Sequence, residues 1–366
     1  MKIGILTFHY AYNYGAVLQA FATQKLLEFM GHTPEFIDYR NGTIVNSYEN
    51  LHFSWRNSYF KAPYLAIWAL IKSKFQEKKE RKFDLFKTNK INISNHTYTK
   101  ADDVDVKDYD LVLIGSDQVW NPLLTGGLDK AYFGDLKRNP STRIVSWSPS
   151  SLYLDFTEEE LKQMANFIPN FSHISVRDEN LQNIISKISN RNVEITLDPV
   201  LMIKPEIWKS MCHEVKENDY VLVYAVKHRD ETWALATKIA KKFHKKIIEI
   251  KSNIKADFHS SVRNTCSPED FLSYIYHADF VVASSFHGTV FSIIFEKQFI
   301  NYVPGSIKDS RVLTILKSLG LDSRAVNENY DFNNISCEIN YADAQIRLEF
   351  LQKKSNDFLI SAIHNK

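Results

Sequence analysis

Residues 279–304 read DFVVASSFHGTVFSIIFEKQFINYVP. Phe280 to Ala283 is a short apolar run of the kind that fills a buried parallel strand. Ser284, Ser285, His287 and Gly288 follow at once, and then Val290, Phe291, Ile293 and Ile294 take up helical spacing. Phe299 to Val303 reads as the next strand. A histidine beside a glycine therefore sits where a strand ends and a helix begins. In open α/β sheets ligands bind in the crevice at the carboxyl ends of the strands. The amino end of a helix also offers backbone N–H groups and positive dipole to an anion. The expectation is that His287 meets a phosphate-bearing ligand.

The same alternation runs through the chain on either side. Lys2 to Phe8 is a strand, and the helix after it carries Leu18, Ala22, Leu26 and Phe29 on one face with Gly31 placed to cap it. Pro34 to Tyr39 is the second strand. The first turn holds Asn13 and Gly15 rather than the GxGxxG of dinucleotide binders. Strands follow at Asp110 to Ile114, Arg143 to Trp147, His173 to Val176 and Val193 to Leu197, with a capping box at Thr157 and Glu160 between them. A fresh start comes after residue 219: strands at Tyr220 to Val226 and Lys246 to Ile250, a helix from Glu231 to Phe243, and Ser267-Pro268 opening another. Arg311 to Leu319 is helical, and a last long helix covers 341–363.

Two successive β/α alternations predict an α/β protein of two Rossmann-like domains facing across a cleft. The division reads as residues 1–200, residues 201–340 with the anion site, and a C-terminal helical segment 341–366. Residues 41–100 interrupt the first domain as a helical insertion. Its first half is crowded with Tyr48, Phe53, Trp55, Tyr59, Phe60, Tyr64 and Trp68. The second half carries Lys72, Lys74, Lys78, Lys79, Arg81, Lys82, Lys87 and Lys90, opposed by Glu77, Glu80 and Asp84. Such a pair of segments suits peripheral contact with an anionic membrane surface, or else a plain solvated face.

With 366 residues, 44% hydrophobic and 24% charged, the chain has globular composition and length for two domains. A net charge of +2 gives no global case for nucleic acid as a partner. Cys212, Cys266 and Cys337 are odd in number and widely spaced, which fits a reducing compartment and gives no metal-ligand spacing. Without a signal-like apolar core or a membrane-length apolar run, a cytoplasmic location is expected, with the inner membrane face as a peripheral site.

Six short motifs then recur in register: Asn13-Tyr14-Gly15-Ala16, Gly115-Ser116-Asp117-Gln118-Val119-Trp120-Asn121-Pro122, Ser175-Val176-Arg177-Asp178, Leu197-Asp198-Pro199, Ser285-Phe286-His287-Gly288-Thr289 and Asp309-Ser310-Arg311. In this order they resemble the polysaccharide pyruvyl transferase family, over residues 1 to about 320. The resemblance implies a GT-B-like fold of two Rossmann-like halves. It also implies transfer of a pyruvyl group from phosphoenolpyruvate to two hydroxyls of a sugar, leaving a cyclic ketal in capsular, extracellular or cell-wall glycans. The acceptor expected at family level is galactose-like, carried on a nucleotide, a lipid or a polymer. Phosphoenolpyruvate is a substrate, and neither a cofactor nor a metal is expected.

Such a reaction needs a cationic clamp for phosphate and carboxylate, a proton for the enol carbon and a base for the hydroxyls. A guanidinium suits both anions because its fork pairs with either bidentately. Arg177, at the carboxyl end of a strand, is the first choice, and the resemblance makes it a donor-binding residue; the plain alternative is a salt-bridging arginine. His287 is a general acid or a phosphate ligand, with Ser285, Gly288 and Arg311 beside it on the donor. Asp117 is the candidate base, and Asn13, Gly15 and Gln118 accompany it on the acceptor side. Asp117 is also a turn former, and Asp198 shapes the turn before Pro199. Ser284 and Ser285 lack the GxSxG elbow of a serine nucleophile. A sugar-nucleotide glycosyltransferase of the same fold and an idle glycan-binding relative are the competing functions.

Overall fold

The computed structural model describes residues 1–46, 63–252, 259, 261–305, 310–330 and 338–364. Tyr48, Phe53, Trp55, Tyr59, Phe60, Asp309 and Cys337 lie outside the described residues, as do the side chains of Tyr64 and Trp68. The chain divides into two compact units, one of Met1–Leu51, Lys87–Ile203 and Glu349–Lys366, the other of His52–Phe86 and Lys204–Leu348.

The first unit is built on a seven-stranded sheet. Its strands are β1 (Lys2–Leu6), β2 (Thr33–Tyr39), β3 (Ile93–Tyr98), β4 (Leu111–Ile114), β5 (Arg143–Ser146), β6 (His173–Val176) and β7 (Glu194–Ile195). Their order is β3-β2-β1-β4-β5-β6-β7, and every pairing is parallel. The central strands are continuous apolar runs because both faces are covered: Ile3, Ile5, Leu6 and all of Leu111 to Ile114 are fully buried. Helix α1 (Tyr14–Phe29) is buried around most of its circumference, from Tyr14 to Gln24 and at Leu26 and Leu27.

Helix α2 (Pro63–Lys90) and β3 both fall in the stretch expected to be wholly helical. The strand was hidden because ISNHTY is an exposed, polar edge strand without the apolar alternation that marks a half-buried one. Helix α2 also does not present its basic run as one face. In the second unit Lys79 is buried and donates to the Lys251 and Ser252 carbonyls at 3.4 and 2.5 Å. Burial there pulls its pKa down to about 8. Lys82 pairs with Asp270 at 2.6 Å. In the first unit the Lys87 ammonium lies 4.4 Å from the Tyr12 ring centroid. Lys74, Lys78 and Arg81 are exposed, with Glu77 and Asp84 among them.

Helices α3 (Glu158–Phe167) and α4 (Glu179–Ser189) complete the first unit's alternation. The capping box at Thr157 and Glu160 is present, and Asp178 caps α4 by accepting from the Leu181 N–H at 3.0 Å.

The second unit repeats the plan with a six-stranded, all-parallel sheet. Its strands are β8 (Tyr220–Tyr224), β9 (Lys246–Ile250), β10 (Val262–Arg263), β11 (Phe280–Ala283), β12 (Gln298–Tyr302) and β13 (Ala325–Val326), ordered β10-β9-β8-β11-β12-β13. Helices α5 (Arg229–Phe243), α6 (Pro268–His277), α7 (Phe286–Ile294) and α8 (Ser310–Leu319) connect them. Ser267 caps α6 with Pro268 at its first position, and Asp270 closes the box.

The last helix, α9 (Ala342–His364), is not a separate segment. From Glu349 it counts with the first unit. Arg143 donates to the Ala362 and Ile363 carbonyls, and the Ser355 hydroxyl accepts from the Leu197 N–H at 3.0 Å. Leu359 and Ala362 are fully buried.

In both sheets the order reverses beside the first strand, between β1 and β4 in one unit and between β8 and β11 in the other. Those reversals are where the loops diverge and leave a crevice.

Candidate active site

His287 lies at the reversal of the second unit. The strand β11 ends at Ala283, and Ser285 in extended conformation caps α7 by accepting from the Gly288 N–H at 2.9 Å. Asn301 on β12 donates to the Ser285 carbonyl at 3.2 Å and to the Thr289 hydroxyl at 2.5 Å, so the turn is held from below. Gly288 has no room for a side chain. A Cβ there would come within 2.8 Å of the Ser285 hydroxyl, 3.0 Å of the Ala283 Cβ and 3.1 Å of the Tyr224 ring.

Phe286 joins two of the expected donor residues. Its ring has the His287 imidazole edge-on at 5.3 Å and the Arg311 guanidinium over its face at 5.5 Å. The structure thus brings His287, Ser285, Gly288 and Arg311 together around the amino end of α7. A half-buried imidazole, a guanidinium and the first amides of a helix form a set suited to a phosphate or carboxylate.

The first unit carries the other expected residues at its own reversal. Asn13 caps α1 by accepting from the Ala16 N–H at 3.2 Å, and Gly15 is buried in the first turn. After β4 the chain turns sharply. Gly115 has a φ of 113°, and a Cβ there would lie 2.3 Å from the Trp147 carbonyl oxygen. Asp117 also has positive φ, at 73°. Its carboxylate accepts from the Gln118 N–H at 2.8 Å, the turn-forming arrangement of a short polar side chain. Its carbonyl accepts from the Ser150 N–H at 2.8 Å. The Gln118 side chain accepts from Asn121 at 3.0 Å, and Asn121 caps the short helix Pro122–Thr125.

Arg177, expected as the donor clamp, is enclosed in the first unit. It follows β6, and its guanidinium lies 2.8 Å from the Asp198 carboxylate and donates to the Ser116 hydroxyl. Ser116 in turn donates to the Ser148 carbonyl at 2.9 Å. Arg177 therefore ties the loop carrying Asp117 and Gln118 to the turn before Pro199. Around it the ends of β5 to β7 are stitched by hydroxyls: Ser146 and Ser175 exchange bonds with each other's backbone, and Thr196 donates to Ser175 at 2.9 Å.

Two charged clusters at strand ends escaped the sequence reading. In the first unit Asp38, on β2, accepts from Arg40 at 2.9 and 2.8 Å and from Thr97 at 2.6 Å, and lies 3.1 Å from His9. Burial alone would raise its pKa, but those hydrogen bonds outweigh it and hold the carboxyl below the usual range. In the second unit the buried Glu249 on β9 receives a two-point bond from Arg229 at 2.8 Å and pairs with Lys251 at 2.9 Å. The available signal was an acidic residue inside an apolar strand run, EFIDY and KIIEI. Among the described residues no group of three or more His, Cys, Asp or Glu side chains is gathered to hold a metal ion. No described helix is long and apolar enough to cross a membrane.

Two all-parallel Rossmann-like units with polar loops at each reversal define a GT-B-like α/β protein. The polysaccharide pyruvyl transferase family model matches residues 13–306, and the chain belongs to that family. No curated protein matches it. Among solved structures the S. aureus MnaA–UDP co-structure superposes with a TM-score of 0.51 at 10% identity, covering 99% of this chain and 96% of that one. The UDP-GlcNAc 2-epimerase from Methanocaldococcus jannaschii gives 0.47 at 10% identity over 100% and 94%. E. coli heptosyltransferase WaaC with ADP gives 0.39 at 12% over 96% and 99%. The likeness to MnaA is one of fold alone.

Proposed function

We propose that the protein transfers the pyruvyl group of phosphoenolpyruvate to two hydroxyls of one sugar, releasing phosphate and leaving a pyruvate ketal. The observation that carries this reading is the gathering of His287, Ser285, Gly288 and Arg311 around Phe286 at the amino end of α7. The phosphate and carboxylate of the donor need cationic and N–H partners of that kind. The enol CH₂ accepts a proton and becomes a methyl group, and the adjacent carbon becomes oxocarbenium-like. One sugar hydroxyl attacks that carbon, phosphate departs, and the second hydroxyl closes the ring; each hydroxyl gives up a proton, which balances the two taken up by carbon and phosphate.

His287 delivers or steadies the proton and phosphate, with Arg311 as counter-charge. On the first unit Asp117 is the base for the hydroxyls, and Asn13, Gly15 and Gln118 approach the acceptor. Arg177, paired with Asp198 and donating to Ser116, holds the loop of Asp117 in position. The acceptor is a galactose-type sugar on a nucleotide, lipid or polymer carrier, in the assembly of capsular or other surface glycans at the cytoplasmic side. Thermal unfolding tests this. Phosphoenolpyruvate at about a hundred times its Kd adds about 2.7 kcal/mol of stability, with or without a sugar nucleotide present. Protection by sugar nucleotides alone overturns the proposal.

A further inference from the structure

The first unit contains a cavity of about 560 Å³ that its proposed chemistry does not use. It is lined by His173, Arg191, Glu194, Lys354, Asp357 and Phe358, among others. His173 opens β6, whereas Arg177 follows the strand's last residue. The cavity therefore lies at the amino ends of the strands, about 13 Å of strand away from the crevice end. Its volume falls within the range of small-molecule sites.

The lining selects one class of ligand. Arg191 and Lys354 bring two positive charges, Glu194 and Asp357 two negative ones. Burial and the neighbouring Arg143 and Arg191 push the His173 pKa down, so the ring adds no charge at neutral pH. A balanced lining does not attract a simple anion or cation, and it mixes these charges with apolar surface from Ile174 and Phe358, which suits a ligand with both hydroxyls and a C–H face. The groups are also held in place. Arg191 donates to the Ile168, Phe171 and Ser172 carbonyls at 3.2, 2.6 and 2.8 Å. Glu194 is paired with Lys354 at 3.4 Å. Phe358 is half-buried, stacked on Trp147 with centroids 6.1 Å apart and met edge-on by His173 at 6.4 Å. Planar carboxylates and a guanidinium beside an aromatic ring match the vicinal hydroxyls and the C–H face of a pyranose.

We infer that this cavity binds a neutral saccharide unit, at a site separate from the donor crevice. It would hold a more distant part of a glycan, or an oligosaccharide by itself. The inference does not depend on phosphoenolpyruvate being the donor.

Ligand-observed NMR on the full chain, with neutral galactose-, glucose- and N-acetylglucosamine-containing di- and tetrasaccharides, tests it. Binding is expected for the wild type and for His287→Ala. Asp357→Ala should weaken it roughly tenfold, the size of one lost hydrogen bond to a charged group, and Phe358→Leu should weaken it as well. Because Phe358 also packs on Trp147, the exposed Asp357 provides the variant that leaves the fold intact. No saccharide binding, binding unchanged in Asp357→Ala, or binding lost in His287→Ala alone would each overturn the inference. Inorganic phosphate displacing the saccharide from wild type and His287→Ala alike would also overturn it.

Discussion

The Arg177 guanidinium and the Asp198 carboxylate lie 2.8 Å apart with side chains 3% and 0% exposed. Each neutralises a charge that the other could not leave buried alone. The pair fixes the turn before Pro199, and through Ser116 it fixes the loop that presents Asp117 and Gln118.

Removing one member should therefore cost about 3–5 kcal/mol, as for other broken buried pairs. Arg177→Met and Asp198→Leu are each expected to unfold at much lower denaturant, while the double variant recovers part of the loss. Single variants within about 1 kcal/mol of wild type would show that the pair is not buried in solution. Activity lost in Arg177→Ala is thus ambiguous. Arg177→Lys keeps the charge and removes the fork, and it is the better probe of the chemistry.

Gly288→Ala tests the close packing under α7. The new methyl meets the Ser285 hydroxyl, Ala283 and Tyr224 at 2.8 to 3.1 Å. A loss of about 1–3 kcal/mol is expected, together with weaker phosphoenolpyruvate protection in thermal melts. A fully stable Gly288→Ala protein that binds the donor normally would contradict the geometry.

Lys79 makes stability depend on pH in a predictable direction. Its folded pKa of about 8 lies below its ordinary 10.5. The unfolded chain thus binds more protons across that window, and stability rises with pH through it. Below about pH 8 the burial penalty is fully present. Relative to wild type, Lys79→Met should lack roughly 3 kcal/mol of this rise. Parallel stability curves for the two proteins between pH 8 and 10.5 would place Lys79 in solvent.

The basic helix divides into structural and outward lysines. Lys82→Glu sets a second negative charge against Asp270 and should destabilise the protein, whereas Lys78→Glu should stay within about 0.5 kcal/mol. If α2 touches an anionic membrane, reversing Lys74, Lys78 and Arg81 together lowers partition to anionic vesicles. Unchanged partition returns that face to plain solvation.

The alternation of strands and helices was legible because buried parallel strands are continuous apolar runs and because Thr157, Ser267 and Gly31 punctuate the helices plainly. The turn proposed to hold the anion was legible for a related reason: Ser285, His287 and Gly288 stand between an unmistakable strand and an unmistakable helix. What stayed hidden depends on partners far along the chain. Nothing local tells that Lys79 turns inward to carbonyls 172 and 173 residues away, or that Arg177 meets Asp198. The polar edge strand β3 lacks the apolar signal altogether, and the two-residue strands β10 and β13 are too short to show a period.

The most direct test of the central claim is phosphate release from labelled phosphoenolpyruvate, measured with a panel of nucleotide- and lipid-linked saccharides. The wild type is expected to release phosphate only with an acceptor and to leave the label on the sugar as a ketal. His287→Ala, still folded, is expected to do neither. Sugar transfer from a nucleotide donor without phosphoenolpyruvate turnover, or wild-type phosphate release by His287→Ala, would contradict the account.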